Sequence, residues 1–258
     1  MDALIWHTGL VGGTVARARA FDAAFRSTDI DAMRGRTFDL VVCAGARAEK
    51  WRANLDPEGD RAGIARLTDV LETVRIGHLV LVSTIDVYPS PVGVDEHTPI
   101  DADILHAYGR HRYALEQFCQ DRFETTVVRL PGLFGHGLKK NAIFDLLHDN
   151  AVDRIHPDSA YQFYDLEQLW RDVERVRESG IALVNVAVEP VRMGDVATRV
   201  FGRVLTPPDG AQAARYDMRS LYAGRFGGRE GYWYDAESTF SAMERFVSNE
   251  RRAGAEGA

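Results

Sequence analysis

The chain is poor in cysteine: Cys43 and Cys119 are the only two among 258 residues. Two such residues supply neither a disulfide framework nor a metal cluster, and both read as buried apolar fill. No Lys/Arg block interrupts the sequence, and 31 basic against 38 acidic residues leave a net charge of -7. That balance lacks the basic footprint of nucleic-acid binding or of attachment to an anionic membrane. No apolar run reaches the roughly 18–20 residues of a membrane-spanning helix. No secretory signal precedes the first apolar segment, so a cytoplasmic protein is expected. There is no internal repeat. A charged small molecule stays open as a partner, because the local field governs its binding more than the total charge.

What is present is a hydrophobic content of 45% in a chain long enough to bury roughly 70–75% of its unfolded surface. Apolar runs alternate with helical spacing through the first half. Ala3 to Trp6, Ala23 to Ser27, Phe38 to Cys43, His78 to Ser83 and Thr125 to Leu130 read as strands. Thr14 to Ala20, Pro57 to Arg75 and Leu105 to Phe123 read as helices, the last with Tyr108, Arg112 and Glu116 on one face. Ser90 to Pro99 reads as a loop. The alternation predicts an α/β fold, a Rossmann-type doubly wound parallel sheet with ligand at the strand C-termini. Later elements are a helix near Asn141 to His148, one near Leu166 to Glu178, a strand over Ile181 to Ala187 and a helix near Asp195 to Phe201. Thr206 to Gly231 reads as irregular, and a last helix over Ala236 to about Asn249 precedes a frayed polar tail. The expected division is a dinucleotide-binding core over 1–130, with returns from about 151–205. A small C-terminal substrate-binding lobe takes 131–150 and 206–258.

Thr8-Gly9-Leu10-Val11-Gly12-Gly13 follows the first strand and opens a helix. Glycine lets backbone amides approach a pyrophosphate, and a helix N-terminus favours the anion. TGLVGG resembles the TGxxGxxG-type turn of the extended short-chain dehydrogenase/reductase superfamily, the NAD-dependent epimerase/dehydratase family. The family's first glycine falls at position 6, where this chain has Trp6. At the end of the second strand, where an acidic residue would select NAD, stand Arg26-Ser27-Thr28. They suit a 2′-phosphate, or belong to an ordinary surface loop, so the cofactor implied is NADP or NAD with a lean to NADP. Cys43-Ala44-Gly45-Ala46 resembles the family's NAAA/NNAG-type segment beside the adenine ribose.

Ser83-Thr84-Ile85-Asp86-Val87-Tyr88 resembles the family's SSxxVYG or STDxVYG segment, with Thr84 on the catalytic Ser/Thr. Tyr108-Gly109-Arg110-His111-Arg112 resembles YGxSK, with Tyr108 on the catalytic tyrosine and Arg112 in place of the lysine. The resemblance implies that Tyr108 moves a proton at the substrate oxygen, that Thr84 anchors this oxygen, and that a cation one turn on lowers the ordinary phenol pKa of about 10. It also implies cofactor contacts by Thr8, Gly9, Leu10, Val11, Gly12, Arg26, Ser27, Cys43, Ala44, Gly45, Tyr108, Arg112, Leu130 and Pro131. Asp86 occupies one of the two acidic positions of the sugar-nucleotide dehydratases and Ile85 the other, which disfavours the usual 4,6-dehydration pair.

Arg129 to Gly135 resembles the family's RxxNVYGP segment, which lines the nicotinamide amide and the sugar. Gln162 to Leu166 and Leu183 to Val191 resemble later segments beside the substrate, so the resemblance covers about residues 1–200. It implies substrate contacts by Asp86, Val87, Tyr88, Gly132, Lys140, Asn141 and Arg225. Lys139, Lys140 and Asn141 could hold a phosphate or carboxylate, or simply open a helix. The Arg- and aromatic-rich stretch around Arg225 could clamp a nucleotide diphosphate or pack against a subunit. The helix over Leu105 to Phe123 is the family's usual dimer surface, which raises a homodimer as an expectation. The implied function is an NAD(P)-dependent epimerase, reductase or dehydratase-like enzyme on a nucleotide sugar or related polyol, with no metal. Two other readings stay open: a dinucleotide-binding sensor that lost turnover through Trp6 and Arg112, and a structural subunit of a biosynthetic complex.

Overall fold

Ala3, Leu4 and Ile5 are apolar, fully buried and flanked by parallel neighbours, which fixes β1 (Asp2–Ile5) in the middle of a sheet. The computed structural model describes residues 1–44 and 49–256. The same sheet contains β2 (Ala23–Phe25), β3 (Thr37–Cys43), β4 (Arg75–Thr84), β5 (Thr125–Leu130) and β6 (Leu183–Asn185), in the spatial order β6-β5-β4-β3-β1-β2. Every pairing is parallel. The order reverses beside β1, whose neighbours are β2 on one side and β3 on the other, so the ligand crevice of such a fold opens there. All six residues of β5 are buried, as expected of a strand covered on both faces.

Helices cover both faces. The helix α1 (Leu10–Ala18) packs with a distant helix, Leu169–Glu178, on one face, where the Phe21 and Trp170 rings meet edge to face at 6.1 Å. On the other face α2 (Lys50–Leu55), α3 (Pro57–Leu71) and α4 (Ala107–Arg122) pack together. Ile64, Leu67 and Leu71 of α3 and Leu115 and Cys119 of α4 join the strands in one core. Asp56 caps α3 by accepting from the Gly59 amide at 3.0 Å, with Pro57 in the first helical position. The connection from β2 to β3 uses a short 3-10 turn, Ile30–Met33, in place of a crossover helix.

The chain forms two compact units. The first comprises Met1–Ser90, Glu96–Leu130 and Gln168–Asn185 and holds the sheet. The second comprises Pro91–Asp95, Pro131–Glu167 and Val186–Ala258. Within it Gly132–Phe134 pairs with Phe163–Asp165, and helices Ala142–His148, Met193–Phe201 and Ala236–Glu256 surround a second core of Phe134, Ile143, Met193, Val196 and Met243. Gln162 rivets this unit: its amide donates to the Val188 and Met218 carbonyls and accepts from the Met218 amide at 2.7 Å.

Three sequence expectations are corrected here. The segment read as the loop Ser90 to Pro99 contains a strand, Val92–Val94, which pairs with Asp217–Met218. The partner lies inside the stretch read as irregular, so neither short strand shows until both are placed. The last helix continues to Glu256, past the expected end at Asn249. Among the described residues no helix is long and apolar enough to cross a membrane, and no group of three or more His, Cys, Asp or Glu could hold a metal ion.

Candidate active site

The turn after β1 is built on a close approach. The Trp6 amide donates to the Phe25 carbonyl at 2.7 Å, and the Ala44 amide donates to the Ile5 carbonyl at 3.1 Å. Trp6 itself has φ +63°, a conformation that costs a large side chain about 1–2 kcal/mol and glycine nothing. The backbone of the glycine-type turn therefore persists although the side chain has changed. A Cβ at Gly12 would overlap the Trp6 carbonyl oxygen, so only glycine lets α1 start this near the strand. Gly9 caps α1 without a side-chain partner, leaving the first-turn amides open to an anion. Thr8 and Gly9 are exposed, and Leu10 and Val11 are half-buried.

Beside this turn lies a cavity of about 400 Å³ in the first unit, lined by Trp6, Ser27, Thr28, Arg52, Asp60 and Arg66 among others. Arg26, expected at a 2′-phosphate, does not line it: its guanidinium pairs with Asp29 at 3.3 Å, and its amide donates to the same carboxylate. Ser27 does line it. The Cys43 side chain, expected beside the ribose, belongs to the buried core because β3 ends with that residue facing inward. Ala44 is half-buried, and Gly45 lies outside the described residues. Cys119 is also buried, and burial pushes its thiol far up, as for inert fill.

Thr84 ends β4 directly beside Leu130 in register. Its Oγ1 accepts from the Asp86 amide at 3.1 Å and fixes the turn that follows. The helix α4 begins against that turn. A Cβ at Gly109 would overlap the Asp86 carbonyl oxygen. His106 Nδ1 accepts from the Gly109 amide at 3.1 Å, and Asn54 Oδ1 accepts from the Tyr108 amide at 3.0 Å. These contacts hold the start of α4 against the turn that Thr84 fixes, which puts the Tyr108 phenol near the Thr84 hydroxyl. Thr84 and Tyr108 therefore converge.

Arg112 converges on them differently from the expected tuner. Its guanidinium lies 3.9 Å from the Tyr108 ring centroid and donates to the Tyr108 carbonyl at 3.3 Å. Its two terminal nitrogens donate to the two oxygens of Asp60, one of them at 2.8 Å. His111 Nδ1 shares that carboxylate at 2.7 Å. Burial alone would raise the Asp60 carboxyl, but the bonds from Arg112 and His111 outweigh it and hold it below the usual range. The phenol goes the other way. Burial raises Tyr108, and the opposing pull of Arg112 and of the nearby Thr84 hydroxyl does not overcome it. The cation pulls in the expected direction, but burial outweighs it, so the phenol is raised where a lowered one was expected.

Asp86 is half-buried and accepts from Lys50 Nζ at 2.7 Å. Val87 and Tyr88, expected at the substrate, are interior residues instead. The Tyr88 hydroxyl accepts from Arg129 at 2.8 Å and from the Asn185 amide at 3.0 Å, in a buried network that also ties Arg129 to Glu116. Pro131 is buried. In the second unit Gly132 is exposed, and a Cβ there would crowd the Gln162 carbonyl at 2.8 Å. Asn141, expected to receive an anion, caps the following helix: its oxygen accepts from the Ile143 and Phe144 amides at 3.0 and 3.1 Å, and its amide donates to the Leu133 carbonyl. Lys140 and Arg225 are exposed.

No family model and no curated protein matches the sequence. Solved structures do. RMD from Pseudomonas aeruginosa, complexed with NADPH, matches with a TM-score of 0.73 at 15% identity over 96% of this chain and 99% of that one. A dTDP-4-dehydrorhamnose reductase from Clostridium acetobutylicum gives 0.72 at 13% identity, over 97% and 100% of the two chains. A UDP-glucose 4-epimerase with UDP-glucose from Thermotoga maritima gives 0.71 at 13% identity, over 98% and 99%. The fold is the Rossmann-type α/β fold of these solved reductases and epimerases. At these identities the likeness is one of fold.

On this fold the structure adds residues that sequence reading missed. Arg52 and Arg66 line the cavity, paired with Glu49 and Asp31, from helices far along the chain from Arg26. Lys50, Asn54 and His106 surround the start of α4. Asp60 had a legible signal: it lies four residues before Ile64 on the apolar stripe Ile64-Leu67-Leu71, and an acid on a buried stripe needs a partner.

Proposed function

We propose that the chain is an NAD(P)-dependent oxidoreductase acting at a sugar carbon of a nucleotide-activated sugar or related polyol. The observation that carries this reading is the convergence of Thr84, at the carboxyl end of β4, and Tyr108, in the first turn of α4 packed against it. A glycine turn and a cavity serve the same unit. The residues present fit a dinucleotide. A Cβ at Gly9 would meet nothing nearer than the Trp6 carbonyl oxygen at 3.9 Å, so the approach to the open amides of α1 is clear. Ser27 and Thr28 offer hydroxyls to an adenosine ribose or its phosphate, and Arg52 and Arg66 line the same cavity while paired with Glu49 and Asp31, which supports a dinucleotide, NADP or NAD. The NADPH and UDP-glucose named for the structural neighbours support the same classes of ligand.

Bound there, the nicotinamide supplies or accepts hydride. The Thr84 hydroxyl orients the substrate oxygen, and Tyr108 Oη moves the proton at that oxygen. Arg112 acts on the phenol through the ring face. The Asp60 grip on Arg112 and the tryptophan in the turn favour one second reading, a chain that binds dinucleotide without turnover.

Titration with NADPH followed by fluorescence, then NADPH consumption with a keto-sugar nucleotide, tests both. Tyr108→Phe is expected to leave binding intact and to lower turnover by about 10²–10⁴. Full activity in that variant, or a parent chain that binds no dinucleotide, overturns the proposal. Binding without hydride transfer supports the second reading.

A further inference from the structure

Among the described residues the charges around the Tyr108 phenol come from four elements, and they are paired. From its own helix comes Arg112, matched by Asp60 of α3 through two parallel hydrogen bonds. From the turn after β4 comes Asp86, matched by Lys50 of α2 at 2.7 Å. His106 precedes α4, with its ring centroid 6.3 Å from that of Tyr108; its Nδ1 accepts an amide proton, and burial disfavours its imidazolium form. Among the described residues each of these cations has a carboxylate partner. The Asp60–Arg112 pair is itself secluded, with side-chain exposures of 10% and 5%. His111 completes the grip on the same carboxylate.

We propose that Asp60 is a positioning residue: it holds the Arg112 guanidinium over the Tyr108 ring and offsets its charge, so the phenol stays protonated and the site gives a proton to a carbonyl oxygen. The site thereby works on a ketone or aldehyde of the sugar, rather than opening with the deprotonation of an alcohol. This rests on the proton-transfer role of Tyr108 proposed above. The balance is simple. The carbonyl carbon takes a hydride from the reduced dinucleotide, the C=O bond becomes C–OH, and its oxygen takes the Tyr108 proton. The dinucleotide leaves oxidised, and the phenolate recovers its proton from solvent. The geometry agrees with the direction already found, since burial with the nearby cations paired raises a phenol.

Near-ultraviolet tyrosinate absorbance tests this on the free protein. The parent minus its Tyr108→Phe variant isolates the Tyr108 signal. We expect no Tyr108 ionisation in the parent up to about pH 10, the ordinary tyrosine value. In Asp60→Asn, read against Asp60→Asn/Tyr108→Phe, the signal is expected at least one pH unit lower than in the parent, a tenfold or greater rise in the acid dissociation constant. Asp60→Glu restores the carboxylate and is expected to return the signal toward the parent. Superposable parent and Asp60→Asn signals overturn the proposal. If Asp60→Asn does not fold, the parent difference titration decides alone, because ionisation of Tyr108 below the ordinary value refutes charge cancellation. None of these readings uses cofactor or substrate, so a failed hydride-transfer assay and a failed clamp are separate results.

Discussion

The buried ion pair between Glu116 of α4 and Arg129 of β5 offers the sharpest test of the physical reasoning. Their side chains are 1% and 4% exposed. Glu116 accepts from Arg129 Nε and Nη2 and from the Ser83 hydroxyl, and Arg129 Nη1 donates to Tyr88 Oη at 2.8 Å. Glu116→Gln keeps the shape and removes one charge, leaving a guanidinium secluded from water. Breaking a buried pair in this way costs about 3–5 kcal/mol. The bond to Tyr88 survives and satisfies part of the guanidinium, so the expected loss lies near 3 kcal/mol. That is a large share of the roughly 5–15 kcal/mol by which a native domain is stable. With a slope of about 1–3 kcal/mol/M in urea, the midpoint should fall by at least about 1 M at unchanged slope. Replacing both partners, as Glu116→Leu/Arg129→Met, removes both charges and should recover most of the loss. Urea unfolding followed by circular dichroism measures all three proteins. A single variant as stable as the parent, or a double variant less stable than the single, refutes the account of the pair as mutually compensating charges.

Two further outcomes are expected. Gly12→Ala places a Cβ on the Trp6 carbonyl oxygen and should cost about 1–3 kcal/mol through forced displacement; it should also abolish stabilisation by NADPH in a thermal-shift assay, and retained stabilisation would show that α1 need not start so near β1. His106 is pushed down by burial first and by Lys50 second. Its neutral ring accepts the Gly109 amide, so the cap is whole above the ordinary histidine value of about 6.5 and is lost as pH falls through the lower folded-state value. His106→Asn caps without titrating, so its urea midpoint should lose this component of pH dependence while the parent keeps it.

The sheet was largely legible because its strands announce themselves locally. Thr125 to Leu130 is read with the bounds the structure gives, since a short apolar run between polar turns has one economical interpretation. Val92–Val94 and Asp217–Met218 were illegible for the opposite reason. Each is too short to carry a period, and each exists only through a partner more than a hundred residues away. At the site, the spacing of Tyr108 and Arg112 placed both on one helix face, which the structure shows buried. Sequence could not say what that face meets. The acid that grips Arg112 comes from α3, about fifty residues earlier, and its effect on the phenol is opposite to that of a free cation. Asn141 misled because a polar residue before a helix serves equally as an anion ligand or as a cap, and only the Ile143 and Phe144 amides decide between them.

The division of the first unit into three stretches of sequence has a consequence for biosynthesis. Strand Thr125–Leu130 leaves the ribosome before Leu183–Asn185, its partner on one side, has been translated. Until roughly fifty more residues emerge, that side of a fully buried strand presents bare amides and carbonyls to solvent or to a neighbouring nascent chain. Chain termination or prolonged pausing between residues 130 and 183 should therefore yield aggregation and chaperone retention, whereas a stop after 185 closes the edge.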